Sequence, residues 1–197
     1  DRTMTTVTFI GAGSVVFTRQ LVADLLGFAE LRDISIVLHD VDATRLTVAE
    51  GTARQVNERL GASAMITSTL DRRAALEGAD FVINTIQVGG IAATRKDLEI
   101  PARYGLNQTI GDTTGVGGVF RALRTFPVLS DLTADIRRYC PDAWLLNYTN
   151  PMAMLCMAVH RASPQVAVVG LCHSVQGTLD QLMGYLGEDP KQIAFTC

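Results

Sequence analysis

Short apolar runs recur along the chain at 7–10, 34–39, 64–68, 81–85, 143–148 and 166–171, each closed by polar or glycine-rich residues. Runs this short, bounded by turn residues, predict buried strands. A further apolar run at 193–197 predicts a strand that the chain end interrupts. Between the runs the apolar period lengthens to three or four. Residues 17–27 predict a helix, as do 43–60, where Leu46, Ala49, Ala53, Val56 and Leu60 share a face and Gly61 stops the pattern. Residues 70–76 predict a short helical turn. The stretch 91–104 is less regular, and Pro101 predicts a kink or a fresh start. A long helix is predicted over 120–139, with Pro127 splitting or kinking it. Another begins at Asn150-Pro151, with asparagine as the N-cap and proline in first position, and a last one covers 174–186. Strands alternating with helices predict an α/β fold: a doubly wound parallel sheet covered on both faces.

Composition supports that architecture and narrows its partners. The 197 residues are 48% hydrophobic and 19% charged, enough for one well-buried domain or a little more. The net charge of −3 argues against nucleic acid or an anionic membrane as the main partner. No stretch is apolar enough to span a bilayer, and the polar start Asp1-Arg2-Thr3-Met4 carries no secretory pattern. Cys140, Cys156, Cys172 and Cys197 show no close pairing, which predicts reduced thiols and a cytoplasmic location.

The first candidate chemistry lies at the first turn. Gly11-Ala12-Gly13-Ser14-Val15 joins the first strand to the first helix. Glycine there lets backbone approach a pyrophosphate, and the helix start presents free N–H groups and positive dipole to it. The match to the dinucleotide fingerprint is partial, because Val16 stands at the third glycine position. The second strand ends at Asp40, followed by Val41 and Asp42. A carboxylate there can accept both ribose hydroxyls of NAD and disfavours the extra phosphate of NADP. Either Asp40 or Asp42 could instead cap the next helix, Asp42 being the better candidate for that role. Together these features predict a Rossmann-like sheet, similar to the NAD domain of lactate and malate dehydrogenases.

In such a sheet, ligands sit beyond the carboxyl ends of the strands. The loop Gln87-Val88-Gly89-Gly90, the segment Asn147 to Pro151, and Cys172-His173-Ser174 would join the glycine turn on one rim. Cys172 could be a metal ligand or redox thiol and His173 a ligand or general acid; alternatively they are a small buried cysteine and a helix-capping histidine. His39 reads as a satisfied core or edge histidine. His160 sits near a helix C-terminus, where it suits the dipole. Arg121 and Arg124 follow a second glycine-dense loop, 111–118, and either clamp a substrate or are solvated.

Read together, these segments resemble glycoside hydrolase family four, the NAD- and metal-dependent glycosidases. The resemblance rests on Ile10-Gly11-Ala12-Gly13-Ser14, Asp40-Val41-Asp42, Gln87-Val88-Gly89-Gly90 and the run from Gly117 to Thr125. Its most specific parts are Leu146-Asn147-Tyr148-Thr149-Asn150-Pro151-Met152-Ala153 and Gly170-Leu171-Cys172-His173-Ser174-Val175-Gln176-Gly177-Thr178, the latter most like the α-galactosidase branch. The resemblance implies sugar cleavage by transient oxidation at C3, elimination across C1–C2 and water addition, with NAD and a divalent ion such as Mn²⁺ as cofactors. This differs from the two-carboxylate route of most glycosidases.

Carried over by position, Gly11, Gly13, Ser14, Val15, Asp40 and Gln87 resemble cofactor contacts, and Asn150 and Arg121 substrate contacts. Cys172 resembles a metal ligand, although manganese prefers oxygen and nitrogen. His173 stands where the family has its proposed proton donor. The resemblance also implies a small α-glycoside substrate, a homo-oligomer at full length, and a second metal ligand and a base beyond Cys197. It divides the chain into an NAD-binding domain at 5–171 and the truncated start of a catalytic domain at 172–197, a fragment expected to be inactive alone. The alternatives are an α-glucosidase or α-galacturonidase of the same family, or a lactate/malate-type 2-hydroxy-acid dehydrogenase.

Overall fold

The computed structural model describes residues 4–172 and 174–187. Six parallel strands form one sheet: β1 (Thr6–Ile10), β2 (Ser35–His39), β3 (Met65–Thr69), β4 (Phe81–Asn84), β5 (Trp144–Asn147) and β6 (Ala167–Gly170). Their order is β3-β2-β1-β4-β5-β6, the doubly wound order of dinucleotide-binding sheets. The chain winds outward one way through β2 and β3, then returns to the other side of β1 at β4. That reversal opens a crevice at the carboxyl ends of β1 and β4.

Alternation along each strand feeds two cores. Val7 and Phe9 of β1, Ile36 and Leu38 of β2 and Ile83 of β4 join one cluster. Into it helix α1 (Val15–Gly27) inserts Val22 and Leu26, and α2 (Ala43–Arg59) inserts Leu46, Ala49 and Ala53. Ile10, Val82 and Leu145 point the other way, into a second cluster. That cluster takes Leu76 of α3 (Arg72–Leu76), Leu129, Leu132 and Ile136 of α5 (Gly115–Tyr139), and Leu155 and Val159 of α6 (Met152–Ala162). Thr8 lies among these apolar side chains, but its hydroxyl donates to the Ala75 carbonyl at 2.7 Å, so it pays no desolvation penalty for burial.

Four expectations shift. Residues 90–102 form one helix, α4 (Gly90–Ala102), with Pro101 in its last turn, next to the point where the helix ends. α5 is one uninterrupted helix despite Pro127, and it starts five residues earlier than expected, inside the glycine-dense loop. Packing explains the early start. A Cβ on Gly117 would lie 2.5 Å from the Asp97 carbonyl oxygen, and one on Gly118 would lie 2.9 Å from the Thr113 backbone. These glycines let the helix start press against α4 and its own loop. Finally, α6 is capped by Pro151 rather than Asn150, and no side chain caps it. Helix α7 (Ser174–Leu186) follows β6 as expected. The strand expected at 193–197 lies outside the described residues.

Candidate functional site

A cleft of about 590 Å³ occupies the crevice where the strand order reverses. Gly11, Gly13, Ser14, Asp40 and Gln87 all line it. The turn from β1 to α1 is built by backbone pairing. The Gly11 and Ala12 amides both donate to the His39 carbonyl, at 3.0 and 2.9 Å, and the Ser14 amide donates to Gly11 at 3.1 Å. Gly11 holds φ +90°, and an added Cβ would lie 2.8 Å from the Ile86 nitrogen. At Gly13 an added Cβ would meet Asp40 Oδ2 at 2.7 Å. Gly11 is therefore required by turn geometry and close approach, and Gly13 by close approach alone.

Asp40 is tied to the turn it faces. Its Oδ2 accepts from the Gly13 amide at 2.7 Å, and its Oδ1 accepts from the Asp42 amide at 2.9 Å. This fixes the carboxylate at the tip of β2 and leaves further lone pairs for hydroxyl donors. Asp42 takes the capping role instead: its Oδ1 accepts from the Thr44 and Arg45 amides at the start of α2. Ser14 precedes α1 without a side-chain cap, so its hydroxyl and the first helical amides are not committed to one another. Val15 is the exception among the expected contacts. Its side chain packs onto the core beside β1 and β2, leaving only its amide to face an anion.

Two features of the cleft wall were not legible in the sequence. His39 is 95% buried at 5% exposure and lines the cleft, with Nδ1 lacking a hydrogen-bond partner among the described residues. Burial lowers its pKa against the opposing pull of Asp40, which favours the neutral imidazole. Behind the loop that follows β4 sits an ion pair whose carboxylate is buried. Arg124 Nη2 and Nη1 reach the two oxygens of Asp97 at 2.7 and 3.1 Å, and its Nε donates to the Val88 carbonyl at 3.0 Å. Arg124 is thus held in an ion pair rather than free to clamp a substrate, and its pKa is raised by the Asp97 hydrogen bond.

The other expected contacts gather further along the sheet edge. Arg121 Nε donates to the Asn150 carbonyl at 3.0 Å, and Asn150 Nδ2 approaches Asp112 Oδ2 at 3.5 Å. Arg121 Nη1 lies 4.0 Å from the same carboxylate. Asp112 thereby joins Asn150 and Arg121, although its place in a glycine-rich loop gave no spacing signal. Asn84 and Asn147, at the ends of β4 and β5, are hydrogen-bonded to each other at 2.9 Å, and Asn147 also donates to the Thr149 carbonyl. These bonds tie the two loops that carry the candidate residues.

Cys172 follows β6 at the same carboxyl edge. It is exposed rather than buried, and its Sγ lies 2.8 Å from Ser174 Oγ. It does not line the cleft around Gly13, and among the described residues no three His, Cys, Asp or Glu side chains converge as a metal site. His173 lies outside the described residues. The donor set seen here therefore fits a dinucleotide but does not by itself form a metal centre. No described helix is long and apolar enough to cross a membrane.

Comparison with known proteins places this geometry. The model of the family described as "Family 4 glycosyl hydrolase" matches residues 6–188. An α-galactosidase of Bacillus subtilis (strain 168) is 47% identical over 185 residues, covering 93% of this chain and 43% of that protein. An α-glucosidase of Erwinia rhapontici is 40% identical over 172 residues, covering 87% of this chain and 38% of that one. A solved 6-phospho-β-glucosidase from Thermotoga maritima, with manganese, NAD⁺ and glucose-6-phosphate, is 28% identical. It superposes with a TM-score of 0.80 over 94% of this chain and 44% of its own. The chain thus spans less than half the length of these relatives. A doubly wound sheet, a glycine turn locked to an acid at the second strand, and a match along nearly the whole chain make this protein a member of glycosyl hydrolase family 4.

Proposed function

We propose that the chain is the dinucleotide-binding part of an NAD-dependent glycoside hydrolase acting on α-galactosides. The observation that carries the reading is the Asp40 carboxylate, fixed by the Gly13 amide at the mouth of the reversal cleft. Family membership favours a sugar over a 2-hydroxy acid as substrate. The 47% identity to an α-galactosidase favours that sugar over the glucoside of the 40% relative.

NAD, when bound, supplies a reversible hydride acceptor, chemistry that no side chain provides. The chain's own residues have separate tasks. Gly11, Gly13 and Ser14 admit and hold the pyrophosphate, with the amide of Val15 at the helix start. Asp40 orients the ribose, and Gln87 borders the cleft from the β4 side. Asn150, held by Arg121, offers an amide to sugar hydroxyls, and Asp112 beside it offers a carboxylate. Cys172 is the described residue suited to a divalent ion at the sheet edge, and a thiolate ligand would make such a site sensitive to oxidation. Residues 5–171 form the nucleotide-binding unit and 172–197 begin the substrate-binding part.

Calorimetric titration of the chain with NAD tests the first half of the proposal: binding is expected, and Asp40→Ala should weaken it. The second half is tested in the chain extended to the length of its relatives. Hydrolysis of p-nitrophenyl α-galactoside should stop when NAD, manganese or reductant is withheld in turn. A Cys172→Ser protein with undiminished metal-dependent turnover would remove the metal assignment.

A further inference from the structure

Asn150, read above as a sugar contact, sits on a segment pinned at three points. The Asn147 side-chain amide donates to the Thr149 carbonyl at 3.0 Å, from within the same loop. Arg121 Nε donates to the Asn150 carbonyl at 3.0 Å, from α5. The third tie crosses to the wall of the cleft. The Thr149 hydroxyl, buried where the loops after β4 and β5 meet, lies 3.1 Å from the Ile86 carbonyl and 3.4 Å from the Asn84 carbonyl. A hydroxyl has one proton to give, and the Ile86 oxygen is the nearer acceptor. The Asn84 carbonyl also receives the Tyr148 amide at 3.0 Å, so it keeps a donor without Thr149.

Ile86 is itself set against the glycine turn. The point where a Cβ on Gly11 would lie is 2.8 Å from the Ile86 nitrogen, and Thr85 Oγ1 donates to the Gly11 carbonyl at 3.0 Å. Ile86 also lines the cleft. A continuous series of short contacts thus runs from the turn that would receive the pyrophosphate, through Ile86, to the Thr149 hydroxyl and the backbone of Asn150. Removing one oxygen atom breaks it at its centre.

We propose that Thr149 is a positioning residue: its hydroxyl fixes the sugar-binding Asn150 relative to the cofactor turn, so that substrate and NAD are held in register. The inference rests on the NAD-dependent glycosidase reading above and adds a residue to it. Thr149 touches neither ligand in this role. Its loss should therefore spare cofactor binding and degrade the alignment of the sugar. A misplacement of about 1 Å between reacting partners costs on the order of a hundredfold in rate.

The test uses two pairs of proteins that differ mainly by the hydroxyl: native against Thr149→Val, and Thr149→Ser against Thr149→Ala. Each is made in the chain extended to the length of its relatives and assayed on p-nitrophenyl α-galactoside with saturating NAD and manganese. NAD affinity is measured by calorimetry, and kcat is expressed per NAD-binding site, so that unfolded protein does not count. Thr149→Val should lower kcat by roughly tenfold to a hundredfold while its Kd for NAD stays within about twofold of native. Thr149→Ser should keep most of the native kcat, and Thr149→Ala should lose it as the valine variant does. The serine–alanine pair decides the matter if the valine variant fails to fold. Equal kcat within either folded pair overturns the proposal. So does NAD binding weakened as much as turnover, which would make Thr149 a prop for the cofactor loop. A native extended chain that leaves the glycoside intact, or cleaves it without NAD, would instead remove the functional reading beneath the proposal.

Discussion

Gly11 and His39 show how much a single position can carry. The φ of +90° at Gly11 excludes other residues on conformational grounds, and the atoms that an added methyl would strike, at 2.8–2.9 Å, are backbone atoms of Thr85 and Ile86 that cannot rotate away. Gly11→Ala should therefore destabilise the fold by about 2–3 kcal/mol, read as a lower urea midpoint with an unchanged slope. His39 predicts a pH effect. Burial, its largest influence, lowers its pKa in the folded chain. As pH falls through the ordinary histidine range near about 6.5, the unfolded chain takes up a proton that the folded chain refuses, so stability must decline. The decline continues until the lower folded pKa is reached. Urea titrations between pH 8 and pH 5 should show it in the native protein, and His39→Gln should flatten that part of the profile. The sequence placed His39 correctly as a strand histidine, but nothing in it revealed an unpartnered Nδ1.

At the scale of elements, the α4–α5 pair carries the loop that closes the cleft. Arg124 spans from Asp97 on α4 to the Val88 carbonyl, so this part-buried ion pair sets the position of the residues between β4 and α4. Asp97 is almost wholly buried, and its removal would leave the partly buried arginine without its carboxylate partner. Asp97→Ala should cost about 3 kcal/mol, measured by chemical denaturation. It should also weaken NAD binding through the displaced loop, whereas a surface change on α2 should not. Local pattern alone misread this region. The segment from Gly115 to Gly118 has poor helix propensity, yet it is helical because the absent side chains let α5 meet α4. Pro127 likewise fails to divide α5: residues on both sides of it, Ala122, Thr125, Leu129 and Leu132, are buried along one face.

At the scale of the molecule, the described residues line a cleft where the strand order reverses and place one exposed thiol, Cys172, beyond β6. The 197 residues should accordingly bind NAD without hydrolysing a glycoside. Saturating NAD, at about a hundred times its Kd, should raise stability by roughly 2.7 kcal/mol in a thermal or denaturant assay. Release of p-nitrophenol from an α-galactoside should stay at the buffer rate, and measurable turnover would show that the catalytic groups lie within this chain. The alternation of strand and helix, the strand positions and the glycine–acid pair were all legible in the amino-acid order, because they depend on periodicity and on local turn chemistry. Tertiary structure alone decided that the Asp40 carboxylate is tied to the Gly13 amide, that Arg124 is tied to Asp97, and that Asp112 joins Asn150 and Arg121. Each of those outcomes depends on contacts between residues far apart in the chain, and distance in space leaves no period or spacing in the sequence from which to read it.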